Sequence, residues 1–349
     1  MRIAVDVMGG DHGCNVVVEG VCQALREMPA IRSVCLVGRE EEIREALSHQ
    51  VPQDPRIEVL HASEVLTMTD KPVAGLRRKK DCSILKAVEL VKEGKAQAVI
   101  SPGNTGGVVA ASTLRLRPMP GVDRPGIATV MPAPQNEFVL LDAGANVDSK
   151  PLHLVHYAVM GNAYARDILG LPKPRVGLLS VGTEETKGND LTQEAFKVCR
   201  NLNLNFIGNV EGHDLFSNRV DVVVCDGFVG NVVLKTCESM ALGIFGWMKQ
   251  ELTRNPLRLA GAFLSRGAFS TIRRRMDPDA YGGAPLLGLN GIVMIAHGSA
   301  TERAIKNAVR VTVETLQHKL NETMAGEIKQ ANEQIKRLES NPAAVPLTA

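Results

Sequence analysis

Short apolar segments alternate with helical patterns along most of the chain, and this alternation limits the possible folds more than any other feature. Helix patterns such as 14–28 and 81–95 separate many of the apolar segments. Strands that alternate with helices form parallel β-α-β units. We therefore predict an α/β protein with a doubly wound, mostly parallel sheet. Its buried strands are predicted at RIAVDVM (2–8), SVCLVG (33–38), IEVLHA (57–62), QAVISPG (97–103), EFVLLDAG (137–144), RVGLLSVG (175–182), LNFIGNVEG (204–212) and VDVVVCDG (220–227).

The chain is long for a single hydrophobic core. It has 349 residues, and one core usually stops growing at roughly 250–300 residues. We expect one two-lobed catalytic domain over residues 1–340. Residues 240–280 break the alternation and are predicted to form a helical insertion, and residues 300–340 read as one long helix. The last residues, 341–349, are predicted to be a frayed tail.

Charge and composition exclude several classes of function. A net charge of +2 and an aromatic content of 3% argue against nucleic acid as a partner. The seven cysteines include no CxxC pair, which indicates reduced cytosolic thiols and not a zinc site. The N-terminal segment lacks the pattern of a signal peptide, and no run of 18 apolar residues indicates a membrane span. We expect a cytoplasmic protein without a metal ion or another cofactor.

Two glycine-rich loops follow predicted strands at MGGDHG (8–13) and SPGNTGG (101–107). Glycines let the backbone approach a ligand closely, and the N–H groups at a helix start attract anions. The second loop has the composition of a cradle for a phosphate or a carbonyl oxygen. The alternative is a pair of tight strand-to-helix turns, with an aspartate as a helix cap. The candidate binding residues are Gly9, Gly10, Asp11, Ser101, Gly103, Asn104, Thr105 and Gly106.

Three further polar loops come later in the chain. LLSVGTEETKGND (178–190) contains Lys187, which could hold a phosphate as a point charge. DAGANVDSK (142–150) and VVVCDGFVGNVVLK (222–235) share a strand–small–small–Asn pattern, and an asparagine there could donate to an oxyanion. The alternatives are a solvated charged loop and ordinary helix caps. The candidate residues of the two asparagine loops are Asn146, Asp226, Gly227, Gly230 and Asn231.

The segments YGGAPLLGLNG (281–291) and AHGSATERAI (296–305) form the sixth motif. Glycines, among them Gly283, bracket an apolar stretch that could line a narrow slot for an acyl chain. His297 and Ser299 stand before the last helical pattern, although a lone histidine is more often structural than catalytic.

The stretch 253–276 combines apolar side chains with six arginines and contains no acidic residue. Such side chains can enter the acyl boundary of a bilayer while arginines meet anionic headgroups. The alternative is a helical hairpin whose apolar residues pack on the body of the protein. The contact residues we predict are Arg254, Leu257, Arg258, Phe263, Leu264 and Arg273.

The ordered motifs together resemble the bacterial acyl-ACP:phosphate acyltransferase family of phospholipid synthesis. The resemblance covers roughly residues 1–320, with Cys82 standing where serine is expected. It runs through MGGD, KKDCS (79–83), SPGNTGG, DAGAN, EETKG, CDGFVGN, GGAPLLG and AHGS. It implies a three-layer α/β/α fold similar to that of phosphate acetyltransferases and the isocitrate dehydrogenase superfamily. It also implies a homodimer, no metal, and peripheral association with the membrane.

The implied reaction transfers a long-chain acyl group from acyl carrier protein to inorganic phosphate and yields acyl phosphate. Phosphate is largely dianionic near neutral pH, so the enzyme mainly has to position it and stabilise the oxyanion. Lys187, Asn231, Asp226 and His297 are the candidate catalytic residues, and the glycine loops are the candidate substrate-binding elements. The arginines of 253–276 could contact an anionic membrane, the acidic carrier protein, or both.

Three alternatives stay open from the residues alone. A phosphate acetyltransferase acting on short CoA thioesters would share the fold but would leave the basic stretch 253–276 without a purpose. A decarboxylating dehydrogenase would need a divalent metal and a cluster of aspartate ligands. A non-catalytic membrane-docking protein would leave the glycine, asparagine and lysine residues at the strand ends unexplained.

Overall fold

The strands of the computed structural model, which describes residues 1–50 and 52–340, form one 11-stranded sheet. They are β1 (Arg2–Asp6), β2 (Ser33–Gly38), β3 (Ile57–His61), β4 (Ala98–Ser101), β5 (Gly126–Pro132), β6 (Glu137–Leu141), β7 (Val176–Leu179), β8 (Phe206–Val210), β9 (Val222–Val224), β10 (Ala284–Leu287) and β11 (Ile292–Ile295). Their order across the sheet is β3-β2-β1-β4-β11-β10-β5-β6-β9-β7-β8. The tail predicted at 341–349 lies outside the described residues.

Helices cover both faces of this sheet. They are α1 (Cys14–Glu27), α2 (Glu40–Ser48), α3 (Pro72–Arg78), α4 (Ser83–Lys92), α5 (Thr105–Leu116), α6 (Pro151–Asp167), α7 (Asp190–Cys199), α8 (Gly227–Leu252), α9 (Pro256–Leu264), α10 (Arg266–Arg275), α11 (Glu302–Gln317) and α12 (Leu320–Ser340). One buried cluster joins α4, α5 and the start of α8 to one face. The other face is covered by α1, α2 and α11 in one lobe and by α6, α7 and α12 in the other. The predicted three-layer α/β/α architecture is confirmed.

All eight predicted strands are present, whereas β5, β10 and β11 were missed. The strand β10 has only four residues and includes Pro285, and proline normally argues against a central strand because it cannot donate to the ladder. The structure accommodates it because β10 pairs with β11 through its first two residues and with β5 through its last two. The apolar segment predicted to line a slot is therefore a buried strand at the centre of the sheet.

The two halves of the sheet point in opposite directions. Strands β1 to β4 and β11 are mutually parallel, as are β6 to β9. Between the halves, the β11/β10, β10/β5 and β5/β6 pairings are all antiparallel. Three reversals invert the direction, so the carboxyl ends of the two halves lie at opposite edges of the sheet.

Two helix boundaries differ from the prediction. The single long helix predicted over 300–340 is two helices, because Lys319 adopts a positive φ of 52° between α11 and α12. The insertion predicted at 240–280 begins as the continuation of α8, which starts at Gly227 and runs for 26 residues. The apolar stripe of α11, including Ile305 and Ala308, is buried against its own sheet.

The helix α8 is the one segment of the described chain that is long and apolar enough to cross a membrane by length and composition. A stretch of 18 residues within this helix has a mean hydropathy of 1.3, and 6% of that stretch is buried. The sequence contains no continuous run of 18 apolar residues here, because Lys235 and Glu238 interrupt the apolar residues of α8. Val233 and Leu234 nevertheless pack against the core, which fixes the first turns of α8 to the body.

A buried histidine joins α6 to α12. His156 is 1% exposed, and its Nε2 lies 3.0 Å from Asn332 Oδ1. Asn332 Nδ2 donates to Gly121 O at 2.9 Å, so the amide oxygen faces the ring and Nε2 carries the proton. The other ring nitrogen, Nδ1, is buried without a partner among the described residues. Burial lowers the pKa of His156 and of its neighbour His153.

We predict that this pair makes folding sensitive to mild acid. The unfolded chain takes up protons as the pH falls below about 6.5, while the folded histidines stay neutral. The free energy of unfolding therefore has its full value above that pH. It decreases as the pH falls towards the lowered pKa of the folded state, by up to about 1.4 kcal/mol per pH unit for each histidine. Urea unfolding at pH 7.5 and 5.5 measures the effect. His156→Gln, which cannot titrate there, should show a smaller decrease; an equal decrease would exclude His156 as its source.

Candidate active site

Three loops meet at the carboxyl ends of β1, β4 and β11. The loops after β1 and β4 are in backbone contact, since a Cβ added to Gly9 would lie 2.4 Å from the Cα of Gly103. The third joins them because Asp11 N–H donates to Gly298 O at 2.8 Å. The structure thus brings MGGDHG, SPGNTGG and AHGSA together at one edge of the sheet. We call this group of loops the glycine edge.

A buried aspartate that the sequence analysis missed holds the glycine edge in place. Asp6, the last residue of β1, is 2% exposed. Its carboxylate accepts from Ser101 Oγ at 2.8 Å and from Met8 N–H at 3.2 Å, and Ser101 Oγ accepts from Gly103 N–H at 3.1 Å. Burial raises the pKa of Asp6. Ser101 is therefore a structural link between the strand and the loop, and not a group that faces a ligand.

The start of α5 keeps free donors at this edge. Asn104 caps the helix by accepting from Gly107 N–H at 3.0 Å, and its amide group donates to Thr67 O at 3.2 Å and to Met68 O at 3.1 Å. Thr105 and Gly106 are exposed at the first turn. Because the first N–H groups of a helix lack partners within it, these two residues remain available to an anion, whereas Asn104 is occupied.

His297 lies at the same edge with one nitrogen turned towards its own loop. Its Nδ1 lies 2.7 Å from Ser299 Oγ and accepts from Ser299 N–H at 3.2 Å. The neutral ring therefore carries its proton on Nε2, which is free to donate outwards. His297 is exposed, so it suits a binding role at the mouth of the site.

A second group of loops lies at the opposite edge, where the loops after β6 and β9 are in contact and the loop after the neighbouring strand β7 lies beside them. Asp142 is fully buried, and its carboxylate accepts N–H groups from Ile127 (3.1 Å), Gly144 (3.2 Å), Ala145 (2.7 Å) and Asn146 (2.8 Å). Burial raises the pKa of Asp142, and these hydrogen bonds oppose that effect. The carboxylate thus shapes the DAGAN loop from inside. We call this second group of loops the lysine edge.

Two predicted side chains at the lysine edge, those of Asn146 and Asp226, make hydrogen bonds within the protein. The Asn146 amide Nδ2 lies within hydrogen-bonding distance of Pro125 O (2.6 Å), Asp142 Oδ2 (3.0 Å) and Tyr157 Oη (2.8 Å), so it is engaged within the protein. Asp226 caps α8 by accepting two N–H groups at 2.9 and 3.0 Å.

The glycines beside Asp226 allow α8 to start against the DAGAN loop. A Cβ on Gly227 would lie 2.7 Å from the backbone nitrogen of Asn146, and a Cβ on Gly230 would lie 2.0 Å from Asp142 O. Neither position has space for a side chain. The two glycines therefore set how closely the helix start approaches the loop.

Lys187 and Asn231 are left available at the lysine edge. Both side chains are exposed, and neither makes an ion pair or a side-chain hydrogen bond within the described residues. Lys187 lies in the loop after β7, and Asn231 lies in the first turn of α8 after β9, the neighbouring strand. A cation and an amide donor at adjacent strand ends suit a phosphate and a developing oxyanion.

The two edges belong to the same face of the sheet. Both α5, which starts at the glycine edge, and α8, which starts at the lysine edge, pack on that face. Between them, Thr129 and Ala284 of the central strands remain partly exposed, and we call this incompletely covered part of the face the groove. Strands of five to seven residues place the edges ~17–23 Å apart, so an extended substrate could contact both edges, but a single phosphate could not.

A separate cavity of about 880 Å³ lies near the start of β10. Gly283, predicted to bind substrate, lines this cavity instead of the groove, together with Tyr164 and Arg310. Arg274 and Arg275 of α10 form part of its wall.

The predicted insertion is an exposed hairpin of α9 and α10, and we call it the apolar hairpin. Leu257, Phe263 and Leu264 are 84%, 65% and 84% exposed, so the alternative in which they pack on the body is wrong. Two of the six arginines have a counter-charge that lies just outside the stretch 253–276. Glu251 at the end of α8 pairs with Arg254 at 3.4 Å and with Arg258.

Comparison with known proteins decides the family. Residues 1–323 match the family described as "Fatty acid synthesis protein". A phosphate acyltransferase from Akkermansia muciniphila is 46% identical over 330 residues, which cover 92% of this chain and 94% of the relative. One from Desulfitobacterium hafniense is 49% identical over 319 residues, which cover 91% and 94%. The chain belongs to the phosphate acyltransferase family. It is thus an acyltransferase of fatty acid and phospholipid synthesis, as the ordered motifs predict.

Solved structures support the fold expected for this family. A phosphotransacetylase from Streptococcus pyogenes aligns with a TM-score of 0.61 at 18% identity and covers 94% of both chains. A branched-chain phosphotransacylase from Enterococcus faecalis aligns with a TM-score of 0.57 at 14% identity and covers 91% of this chain and 99% of the other. The prediction of a phosphotransacetylase-like fold is confirmed.

Proposed function

We propose that the protein transfers a long-chain acyl group from acyl carrier protein to inorganic phosphate. The observation that carries this proposal is the unengaged pair of Lys187 and Asn231 at the lysine edge of a phosphate acyltransferase. Lys187 would hold the phosphate, and Asn231 would donate to the thioester carbonyl oxygen as it gains charge. The glycine edge would hold another part of the extended donor through Thr105, Gly106 and His297.

The transfer needs no nucleophile from the protein. An oxygen of hydrogen phosphate attacks the thioester carbonyl carbon, the new C–O bond forms, and the C–S bond breaks. The hydrogen phosphate loses its proton as it becomes the acyl phosphate, and the departing thiolate gains one to become the thiol of the carrier. The proton balance therefore closes between the two substrates, and positioning and charge stabilisation are left to the enzyme.

The runner-up is a phosphate acetyltransferase that acts on short acyl-CoA. The apolar hairpin favours the long-chain reaction, because three large exposed apolar side chains at 65–84% exposure suit an enzyme whose product is an amphiphile. We further propose that the enzyme is cytoplasmic and binds anionic membranes peripherally through this hairpin.

We expect purified protein to form acyl phosphate from hexadecanoyl-loaded acyl carrier protein and phosphate, with EDTA present throughout. Capture of the product by hydroxylamine as a hydroxamate provides the measurement. Acetyl-CoA at the same concentration should react far more slowly, and a reversed preference would favour the runner-up. Activity that chelation abolishes and a divalent ion restores would contradict the metal-free mechanism.

We also propose that two copies associate through α8. Met240, Ile244 and Trp247 recur at i, i+4 and i+7 and are 51%, 46% and 64% exposed, which forms a continuous apolar stripe. Sedimentation at micromolar concentration should show a dimer, and Ile244→Glu with Trp247→Glu should shift it to a monomer. A wild-type protein that sediments as a monomer would rule the dimer out.

A further inference from the structure

A strongly basic surface lies beside the glycine edge and has no role in the chemistry described so far. The segment 71–80, which includes α3, contains five Lys and Arg residues and no acidic residue. Lys71, Arg77, Arg78 and Lys80 are exposed. Within the described residues, only Arg78 of these four approaches a carboxylate, at 3.6 Å from Asp70. We call these four side chains the α3 basic surface.

The fifth cation of this segment holds the surface in place. Lys79 Nζ donates to Val65 O at 2.7 Å and to Asp70 Oδ2 at 2.5 Å. Asp70 also accepts from Thr67 N–H at 2.9 Å and from Thr67 Oγ1 at 2.8 Å. Hydrogen bonds from Lys79 and Thr67 lower the pKa of Asp70, so this anchor stays charged at neutral pH. The α3 basic surface is thus presented on an ordered segment.

The same segment is attached directly to the glycine edge. The amide of Asn104, the cap of α5, donates to the carbonyl groups of Thr67 and Met68. Pro72 packs on Gly106, since a Cβ there would lie 2.8 Å from the proline Cγ, and a Cβ on Gly298 would lie 2.6 Å from Met68 Cε. A partner bound to the α3 basic surface would therefore lie next to the free donors of α5 and to the groove that starts there.

We infer that the α3 basic surface is the docking site for the acidic carrier protein that delivers the acyl group; this inference rests on the proposed function. The charges suit an acidic protein partner. A partner here would be positioned to extend its thioester arm into the groove. A bilayer fits less well, because only Met68 and Val73 are large apolar side chains exposed nearby, at 44% and 51%. Membrane contact and carrier docking are therefore assigned to different surfaces.

The test is charge reversal with a matched control. Arg77→Glu with Lys80→Glu changes the charge by four units at the proposed site. Lys329→Glu with Lys336→Glu makes the same change on α12, where both lysines are exposed. Binding of fluorescently labelled holo acyl carrier protein is followed by anisotropy, and the KM for hexadecanoyl carrier is measured in parallel. Thermal midpoints check folding, and the milder pair Arg77→Gln with Lys80→Gln serves if the reversal unfolds the protein.

We expect the α3 reversal to weaken carrier binding and raise the KM at least about tenfold at low salt, while the α12 control behaves like wild type. High salt should reduce the difference in carrier binding between the α3 variant and the α12 control. Equal carrier binding by the two variants would overturn the inference and leave the proposed function intact. So would a loss of vesicle flotation in the α3 variant with unchanged carrier affinity, which would assign the surface to the membrane. A wild type that binds carrier through this surface but forms no acyl phosphate would overturn the proposed function alone.

Discussion

Replacing Lys187 with alanine should lower turnover at least about 10²-fold, the scale found for removing one electrostatic group from a reaction centre. Lys187 is exposed and unpaired within the described residues, so its charge is available to a phosphate oxygen. The loss should appear in kcat as well as in the KM for phosphate, because in the proposed reaction the bound anion becomes the nucleophile. Stability should barely change, since an exposed loop side chain contributes little to folding.

A matched variant separates this effect from a general loss of positive charge. Lys197 on α7 is also exposed and also lacks an ion pair within the described residues, so Lys197→Ala should keep near wild-type turnover. Lys187→Arg should recover part of the activity, because it keeps the positive charge. Recovery should be incomplete, because a planar guanidinium group replaces a compact ammonium group. Near-normal turnover of Lys187→Ala at saturating phosphate would remove Lys187 from the reaction centre.

The alternation of strands and helices predicted much of this fold from the sequence. It missed the three central strands β5, β10 and β11. The strand β10 is four residues long and contains Pro285, and no local rule places such a segment in the middle of a sheet. The antiparallel pairings of β5 and β10 arise only from long-range contacts. They set the direction of the second lobe, so the sequence alone could not show that the motifs divide between two edges.

The same limit applies to the candidate site. The motifs located the right loops, because glycine and asparagine residues at strand ends are visible in the sequence. They could not show which polar groups stay free. Asn146 and Asn231 occupy similar positions in similar motifs, yet the amide of Asn146 is engaged by its neighbours while Asn231 is exposed. Asp6 was missed because a single aspartate at the end of a strand carries no distinctive pattern.

The candidate residues divide between the two edges that flank the groove. The glycine edge has helix N–H groups and His297, whereas the lysine edge has a cation and an amide. Because ~17–23 Å separates them, the long donor of the proposed reaction could contact both edges and the phosphate only one. The lysine edge suits the phosphate better, because Lys187 is exposed there and makes no ion pair within the described residues, so its ammonium group can act as a point charge.

Replacing Leu257, Phe263 and Leu264 together with glutamate should abolish binding to anionic vesicles. Full burial of each such side chain contributes ~1.5–3 kcal/mol, so losing all three removes up to ~5–9 kcal/mol. Even about 2 kcal/mol lowers partitioning about 30-fold. The measurement is flotation with anionic and with neutral vesicles at low and high salt. Wild-type binding should require anionic lipid and weaken with salt, because the Debye length falls to ~3 Å at 1 M.

Two further variants separate the apolar and the charged contributions of the apolar hairpin. Replacing the same three residues with serine removes apolar area without adding charge, so most of the binding should still be lost. Arg273→Gln with Arg274→Gln should weaken binding to anionic vesicles and reduce its salt dependence, because these arginines make no ion pair within the described residues. The apolar side chains are 65–84% exposed, so none of these changes should unfold the protein. A folded triple-glutamate variant that still floats with anionic vesicles would exclude the apolar hairpin as the membrane anchor.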